Sequence, residues 1–312
     1  MSQYFDEKEL FREPKTQQFG SHMVMTNVQK QGKTKWINID TKYRDDYQAS
    51  QTCNFNITLP ERINEVKTMS VQTIEIPMSF YNISANLGNN CFIIKNYSNP
   101  SSSVVINIAD GYYTTDTIAT AINDAISGAG GIFTSLVYRV IGSFSTFYTA
   151  DANNTFIIEF DVDTAGSQDR FLTTTKLGWI LGFRGLTHNV VTTNPSYGRS
   201  EKFIDLTNPR FLYLAIEEFN KGNQKSFIAP LSNSLINKNI IARITMTQKS
   251  YPFGTVLIAN MSNGLLQSDV RTYSSGKVDL QKMNIQLVNE IGIPMDLNGL
   301  DFSFCLKVEH EA

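Results

Sequence analysis

From Trp36 onward the chain alternates between apolar and polar positions. Ile37 and Ile39 interleave with Trp36, Asn38 and Asp40, and Phe55-Asn56-Ile57-Thr58-Leu59 follows the same two-residue rhythm. That is the period of a strand with one face buried. A longer run, 66–76, ends at Pro77. Val66, Ser70, Gln72, Ile74 and Ile76 share one parity and Met69, Val71 and Thr73 the other. Neither side is cleanly polar, which suits a strand lying inside a sandwich. Five more strands are predicted at 211–216, 240–246, 255–258, 283–288 and 302–308, joined by polar, turn-rich connections. About eight strands therefore lie outside the middle of the chain.

The middle, 88–200, has another grammar. Strands are expected at 91–94 and 104–108, on either side of a turn at Ser98-Asn99-Pro100-Ser101. One helix follows, capped by Thr114 or Thr115. Ile118, Ala121, Ile122, Ala125 and Ile126 recur at helical spacing, and Gly128 is expected to end it. Strands at 136–140 and 156–160 come next, then the apolar segment Leu177-Gly178-Trp179-Ile180-Leu181-Gly182-Phe183. This is a small α+β unit inserted into a loop of a sandwich formed by 36–87 and 201–312, since surface loops tolerate insertions. Ile118, Ile122 and Ala125 are expected to pack the unit onto the sandwich. Residues 1–35 are polar, contain Pro14, and show only one short apolar pattern at Phe5, Leu10 and Phe11. They read as a flexible N-terminal arm that orders against a partner.

Composition narrows the function. Of 312 residues 41% are hydrophobic and 18% charged, with 27 basic against 29 acidic side chains. The apolar content excludes disorder throughout, and the charged share is below the usual quarter or so. A net charge of -2 supplies no basic field for a phosphate backbone, so direct nucleic-acid binding is not expected. No apolar run approaches the roughly 18–20 residues of a membrane span, and the N-terminal stretch lacks the apolar core of a secretory signal. Cys53, Cys91 and Cys305 are odd in number and far apart, as for thiols in a reducing compartment.

Candidate chemistry is sparse. His22, His188 and His310 are scattered, with no paired His or Cys at metal-ligand spacing. Gly128-Ala129-Gly130-Gly131 follows a helix rather than opening one, which suits a cap more than a phosphate cradle. Glu217 and Glu218 alternate across a strand and face opposite sides. Asp161 and Asp163 share a face at a strand end, where the pair reads as ordinary solvated turn carboxylates, with weak Ca²⁺ binding as the alternative; Asp45-Asp46 is a further carboxylate pair. The sequons at Asn56, Asn82, Asn96, Asn153 and Asn260 fit an Asn-rich composition. Phe80-Tyr81, Tyr112-Tyr113 and the aromatics of 144–148 are favoured in sheets anyway. They lack the interleaved Lys and Arg of a nucleic-acid platform. The reading is of a chain that is no enzyme, with no catalytic residues, no metal site and no cofactor.

The order of several motifs carries a resemblance. Asn38-Ile39-Asp40-Thr41-Lys42-Tyr43-Arg44-Asp45 comes first, and then Leu59-Pro60-Glu61-Arg62-Ile63-Asn64-Glu65-Val66 leading to Ile74-Glu75-Ile76-Pro77-Met78-Ser79-Phe80-Tyr81. Asp110-Gly111-Tyr112-Tyr113-Thr114 stands before the helix and the 177–183 segment after it. Tyr213-Leu214-Ala215-Ile216-Glu217-Glu218-Phe219 follows. Val278-Asp279-Leu280 and Asp296-Leu297-Asn298-Gly299-Leu300-Asp301-Phe302-Ser303-Phe304 complete the series. In this order the chain resembles jelly-roll minor capsid or penton proteins of the nucleocytoplasmic large DNA viruses, the giant viruses. The resemblance implies a jelly-roll β-sandwich and a structural capsid role without catalytic residues. It also implies a virion assembled in host cytoplasm, and association with itself, as a homopentamer, and with neighbouring capsid proteins. The alternatives are a tandem double jelly roll in fold, and a lectin-like or host-attachment binding module in function.

Overall fold

The computed structural model describes residues 32–219, 239–273 and 278–311, and the backbone of 17–19 and 23–25. β1 (Gln17–Phe19) pairs antiparallel with β2 (Met23–Met25); the rest of the expected arm lies outside the described residues, apart from its last four positions. Those belong to the sheet. β3 (Gly32–Asp40) begins before Trp36, with Lys33 opposite His310 and Lys35 opposite Val308. Lys33-Thr34-Lys35 has no apolar alternation, so only its partner strand makes it a strand.

β4 (Asn54–Pro77) is 24 residues long and joins two segments whose patterns read as separate strands. It breaks in the middle. Lys282 faces Thr58 and Leu280 faces Ile63, so residues 59–62 bulge out of the ladder. Pro60 falls in that bulge, where its missing N–H leaves no ladder position empty. Glu65 then turns the chain at φ 55.

The chain next builds β5 (Cys91–Asn96), β6 (Ser103–Asn107), α1 (Thr115–Ala129), β7 (Leu136–Ile141) and β8 (Phe144–Thr149). β9 (Phe156–Glu159), α2 (Leu177–Ile180), β10 (Thr187–Val190) and β11 (Arg199–Phe203) follow. β10-β9-β5-β6 form one antiparallel sheet and β11-β8-β7 another. Thr114 caps α1 reciprocally with Thr117. The helix runs past Gly128, which faces open space, and stops where Gly130 takes φ 70.

The apolar face of α1 does not seal the unit onto the sandwich. Ile118, Ile122 and Ile126 are buried with Phe92, Tyr138 and Phe147 in a core that the insertion makes for itself. That core reaches from Ile83 to Leu206, wider than 88–200. Gly178 and Gly182 let it close. A Cβ at the first would collide with the Phe160 ring, and one at the second, which sits at φ +94, with the Lys202 carbonyl.

β12 (Phe211–Glu217), β13 (Ile240–Thr245), β14 (Val256–Asn260), β15 (Leu266–Ser268), β16 (Arg271–Thr272), β17 (Val278–Val288) and β18 (Ser303–Glu311) complete the chain. One layer runs β3, β18, the second half of β4, then β14 and β16 along the far edge of β4. The other runs from the first half of β4 through β17 and β12 to β13. These two antiparallel layers, continuous through β4, make the curled sandwich of a jelly roll. Phe55, Met69, Leu214, Ile285 and Leu306 meet in its core. The middle of the chain is not a second roll: its two small sheets and helix have a different order.

Ile122 is 0% exposed. Ile122→Asp should cost about 3–5 kcal/mol, from the lost aliphatic contacts and an unpaired buried carboxylate. A thermal melt matching the parent's would show that this face is not buried.

Candidate functional site

The sandwich and the insertion meet where the chain leaves β4 and returns to β12. The Ser79 hydroxyl donates to the Leu297 carbonyl at 2.7 Å. Asn82 is buried, its amide donating to the carbonyls of Tyr113 at 2.8 Å and Leu206 at 3.0 Å. Tyr112 stacks on Phe253 at 4.8 Å between centroids and donates to Gln248 at 3.2 Å. So one of the aromatic pairs, Tyr112-Tyr113, and one of the sequons, at Asn82, supply residues to this joint.

Beside it lies a cleft of about 550 Å³, lined by Tyr81, Asn86, Trp179, Arg184, Asp205 and Asn208 among others. That volume suits a small ligand. Its cations are already engaged: the Arg184 guanidinium sits 4.0 Å from the centre of the Trp179 ring, and Arg210 pairs with Asp205 at 2.5 Å. Burial pushes the Asp205 carboxyl up, but hydrogen bonds from Thr207 and the Arg210 pair outweigh it and hold it low. The cleft offers an aromatic face and amides, without a nucleophile beside a base.

β12 ends at Glu217, so Glu218 lies just beyond the strand, and the two carboxylates take different partners. Glu217 accepts from the Asn239 amide. Glu218 is buried against Arg271 at 2.6 Å and accepts from the Tyr273 hydroxyl at 2.8 Å. Arg271 also donates to the carbonyls of Ile216 and Asn239, each at 2.7 Å. Burial first, then the Glu218 charge, push the Tyr273 phenol far up. This cluster was invisible in the sequence because Glu218 and Arg271 come from distant strands. With four of its donors and acceptors satisfied internally, its geometry is that of a clasp between strand ends.

A second joint links the first and last motifs of the resemblance. Arg44 donates to Asp301 at 3.0 Å and to the Thr41 carbonyl at 2.9 Å, while the Thr41 hydroxyl donates to Asp301 at 2.7 Å. Asp45 accepts from the Thr58 hydroxyl at 2.7 Å. These residues tie the β3–β4 connection to the β17–β18 loop.

The remaining candidates do not converge. Asp161 is committed to Arg170 at 3.0 Å and Gln168 at 3.2 Å, while Asp163 accepts backbone N–H groups of its own turn. Among the described residues no group of His, Cys, Asp and Glu is arranged to hold a metal ion. His22 lies outside them. His310 is in β18, and His188 packs on Phe183 with centroids 4.6 Å apart. Cys53 and Cys91 are buried free thiols and Cys305 is half-buried; burial pushes all three up, away from thiolate chemistry.

No protein-family model matches the chain, and no curated protein matches it. Among solved structures, the crystal structure of the selenomethionine-labelled mavirus penton protein is similar over 89% of this chain and 99% of that one. The TM-score is 0.41 and the sequence identity 10%, so no residue role passes across.

Arg271→Met should destabilise the protein by about 3–5 kcal/mol, because it strands the Glu218 carboxylate in the core. Adding Glu218→Leu should recover much of that loss in denaturant titrations. A single variant as stable as the parent would contradict the clasp. A pH dependence should also appear at His188. Burial lowers its pKa below 6.5, against the opposing pull of Glu201 and a hydrogen bond with the Gly198 backbone. Below about pH 6.5 the unfolded chain then binds the proton first, so stability falls until the folded-state pKa is passed. His188→Gln should flatten stability between pH 7 and 5; an unchanged slope would assign it elsewhere.

Proposed function

We propose that this chain is a structural capsid protein of a large icosahedral DNA virus, a penton subunit at the five-fold vertex, and not an enzyme. The observation that carries the reading is one complete jelly roll per chain with a separately cored unit in a single loop. A lone roll is half of what a double-roll capsomer needs and is the right size for a five-fold position. The insertion faces outward from the lattice element. The ordered motifs of the resemblance support the same reading, since Arg44, Asp45 and Asp301 act as joints of the roll. Partners are other copies of the chain, as a homopentamer, and neighbouring capsid proteins; residues 1–31 act as the lacing arm.

Electron microscopy and native mass spectrometry of the purified chain test this directly. Five-membered rings are expected; trimers would defeat the penton assignment, and a chain that never associates would defeat the capsid role. Deleting residues 1–31 should leave the subunit's melting temperature unchanged while abolishing particles. A large drop in melting temperature would contradict the arm. The junction cleft favours a second reading, a lectin-like module, because Trp179 and the amides of Asn86 and Asn208 suit a neutral sugar. Saturable binding of neutral oligosaccharides by a permanently monomeric chain would favour it.

A further inference from the structure

Asn-Gly occurs twice in the chain, at Asn263-Gly264 and Asn298-Gly299. It is the dipeptide most prone to lose ammonia, because glycine sets no Cβ in the path of its own backbone nitrogen. That nitrogen attacks the asparagine Cγ. The new N–Cγ bond closes a five-membered succinimide while the Cγ–Nδ2 bond breaks, and ammonia leaves with the proton of the attacking N–H. Water then opens either carbonyl of the ring, giving aspartate or isoaspartate. The step demands a free N–H on the glycine, a side-chain amide able to turn, and a backbone able to swing.

The two sites differ on all three counts. Asn263 is the hub of the turn after β14. Its Oδ1 accepts the N–H groups of Asn260 and Leu265, each at 3.1 Å, and its Nδ2 donates to the Ile258 carbonyl at 2.8 Å. Its own N–H donates to Asn260 Oδ1 at 2.9 Å, and the Gly264 N–H is spent on the Met261 carbonyl at 3.3 Å. Attack there would undo the whole turn.

Asn298 stands in the β17–β18 loop, at φ 53, with Gly299 at φ 77. The Leu300 N–H closes this turn on the Leu297 carbonyl at 3.1 Å. Asn298 and Gly299 are both exposed, and Gly299 faces open space. Among the described residues the Gly299 N–H donates to nothing. The Asn298 side chain makes one hydrogen bond, from Nδ2 to the Ser79 carbonyl at 2.5 Å. That bond ties the loop to the end of β4, where the Ser79 hydroxyl also holds Leu297. Asn298 lines the junction cleft together with Asp296. An aspartate in its place has no proton to offer and sets acceptor against acceptor at Ser79. It also adds a negative charge to a cleft that already holds Asp296.

We propose that Asn298 is a self-modifying site. The folded protein converts it, in preference to Asn263, through a succinimide to aspartate and isoaspartate, and the conversion breaks its tie to Ser79 and makes the cleft more acidic.

The test incubates the full chain in mildly alkaline buffer at physiological temperature and digests it at intervals. The peptides carrying Asn263 and Asn298 are followed by mass spectrometry, with aspartate and isoaspartate forms separated by chromatography. A parallel sample is held unfolded in urea, where the two should convert at similar rates. In the folded protein Asn298 should convert about tenfold faster, since Asn263 must first give up several hydrogen bonds. Equal rates in the folded protein, faster loss at Asn263, or an intact Asn298 while the urea sample converts would each overturn the proposal. The consequence is read separately, in thermal melts. Asn298→Asp should melt below the parent, and so should the aged protein. Parental melting in both would overturn the claim that conversion breaks a tie of the joint.

Discussion

The break in β4 between Leu59 and Val66 is the constraint on which the rest of the sandwich depends. Run straight, 24 residues would extend for about 80 Å, far beyond a single small sheet. The strand must change layers. The bulge at 59–62 absorbs the proline, the positive φ of Glu65 sets the turn, and Asp279 on β17 clamps both sides of it. Asp279 accepts the Glu65 N–H at 3.0 Å and pairs with Arg62, and these two contacts hold its carboxyl below the usual carboxylate range. Before the break, Phe55 and Ile57 face the core from one layer. After it, Met69, Val71, Ile74 and Ile76 face the same core from the other. The later strands of the roll build outward from its two halves, β14, β16 and β18 on the second and β17, then β12, β13 and β15 in turn, from the first.

The insertion follows from the same geometry. β4 ends at Pro77 and β12 begins at Phe211, so the unit hangs from one connection between the layers. A long excursion costs little more loop entropy than a short one. It does have to satisfy its own apolar surface, which it achieves by closing a separate core around Phe92, Phe147 and Ile122. The two cores then meet through a few polar bonds and the Tyr112–Phe253 stack, and the cleft lies beside that seam.

Charge is used sparingly and mostly for location. The Arg271–Glu218 pair holds the ends of two strands together, and the Arg44–Asp301 pair ties the first connection to the last loop. A buried pair of this kind contributes little net stability compared with apolar residues of similar volume. It does penalise wrong registers that would leave either partner alone. The outer edge around β14 shows the reverse economy, being apolar where a free monomer would carry charge. Internal pairs specify the roll, and Val256 and Ile258 leave an uncharged surface outside it.

The strands of the roll and the long helix were legible because each obeys a local rule. Two-residue alternation marks β3 and the first half of β4, and helical spacing with a threonine cap marks α1. Local rules also limited the reading. The bulged strand looked like two, since Pro60 interrupts the pattern without ending the strand. Lys33–Lys35 looked like arm, since their strand character comes only from pairing with β18. Gly128 looked like the stop of α1, since a glycine in a helix and one beyond it are the same letter until φ is known. The face of α1 was recognised as buried, but a hydrophobic stripe does not say what will cover it. By itself the sequence determined where apolar surface must be hidden and which residue types were absent from the chemistry. Tertiary structure alone decided which surfaces met: that Glu218 found Arg271, that Arg44 found Asp301, and that the helix turned to its own core. Those pairings join residues far apart along the chain, so their energies depend on long-range closure and leave no periodic trace in the sequence.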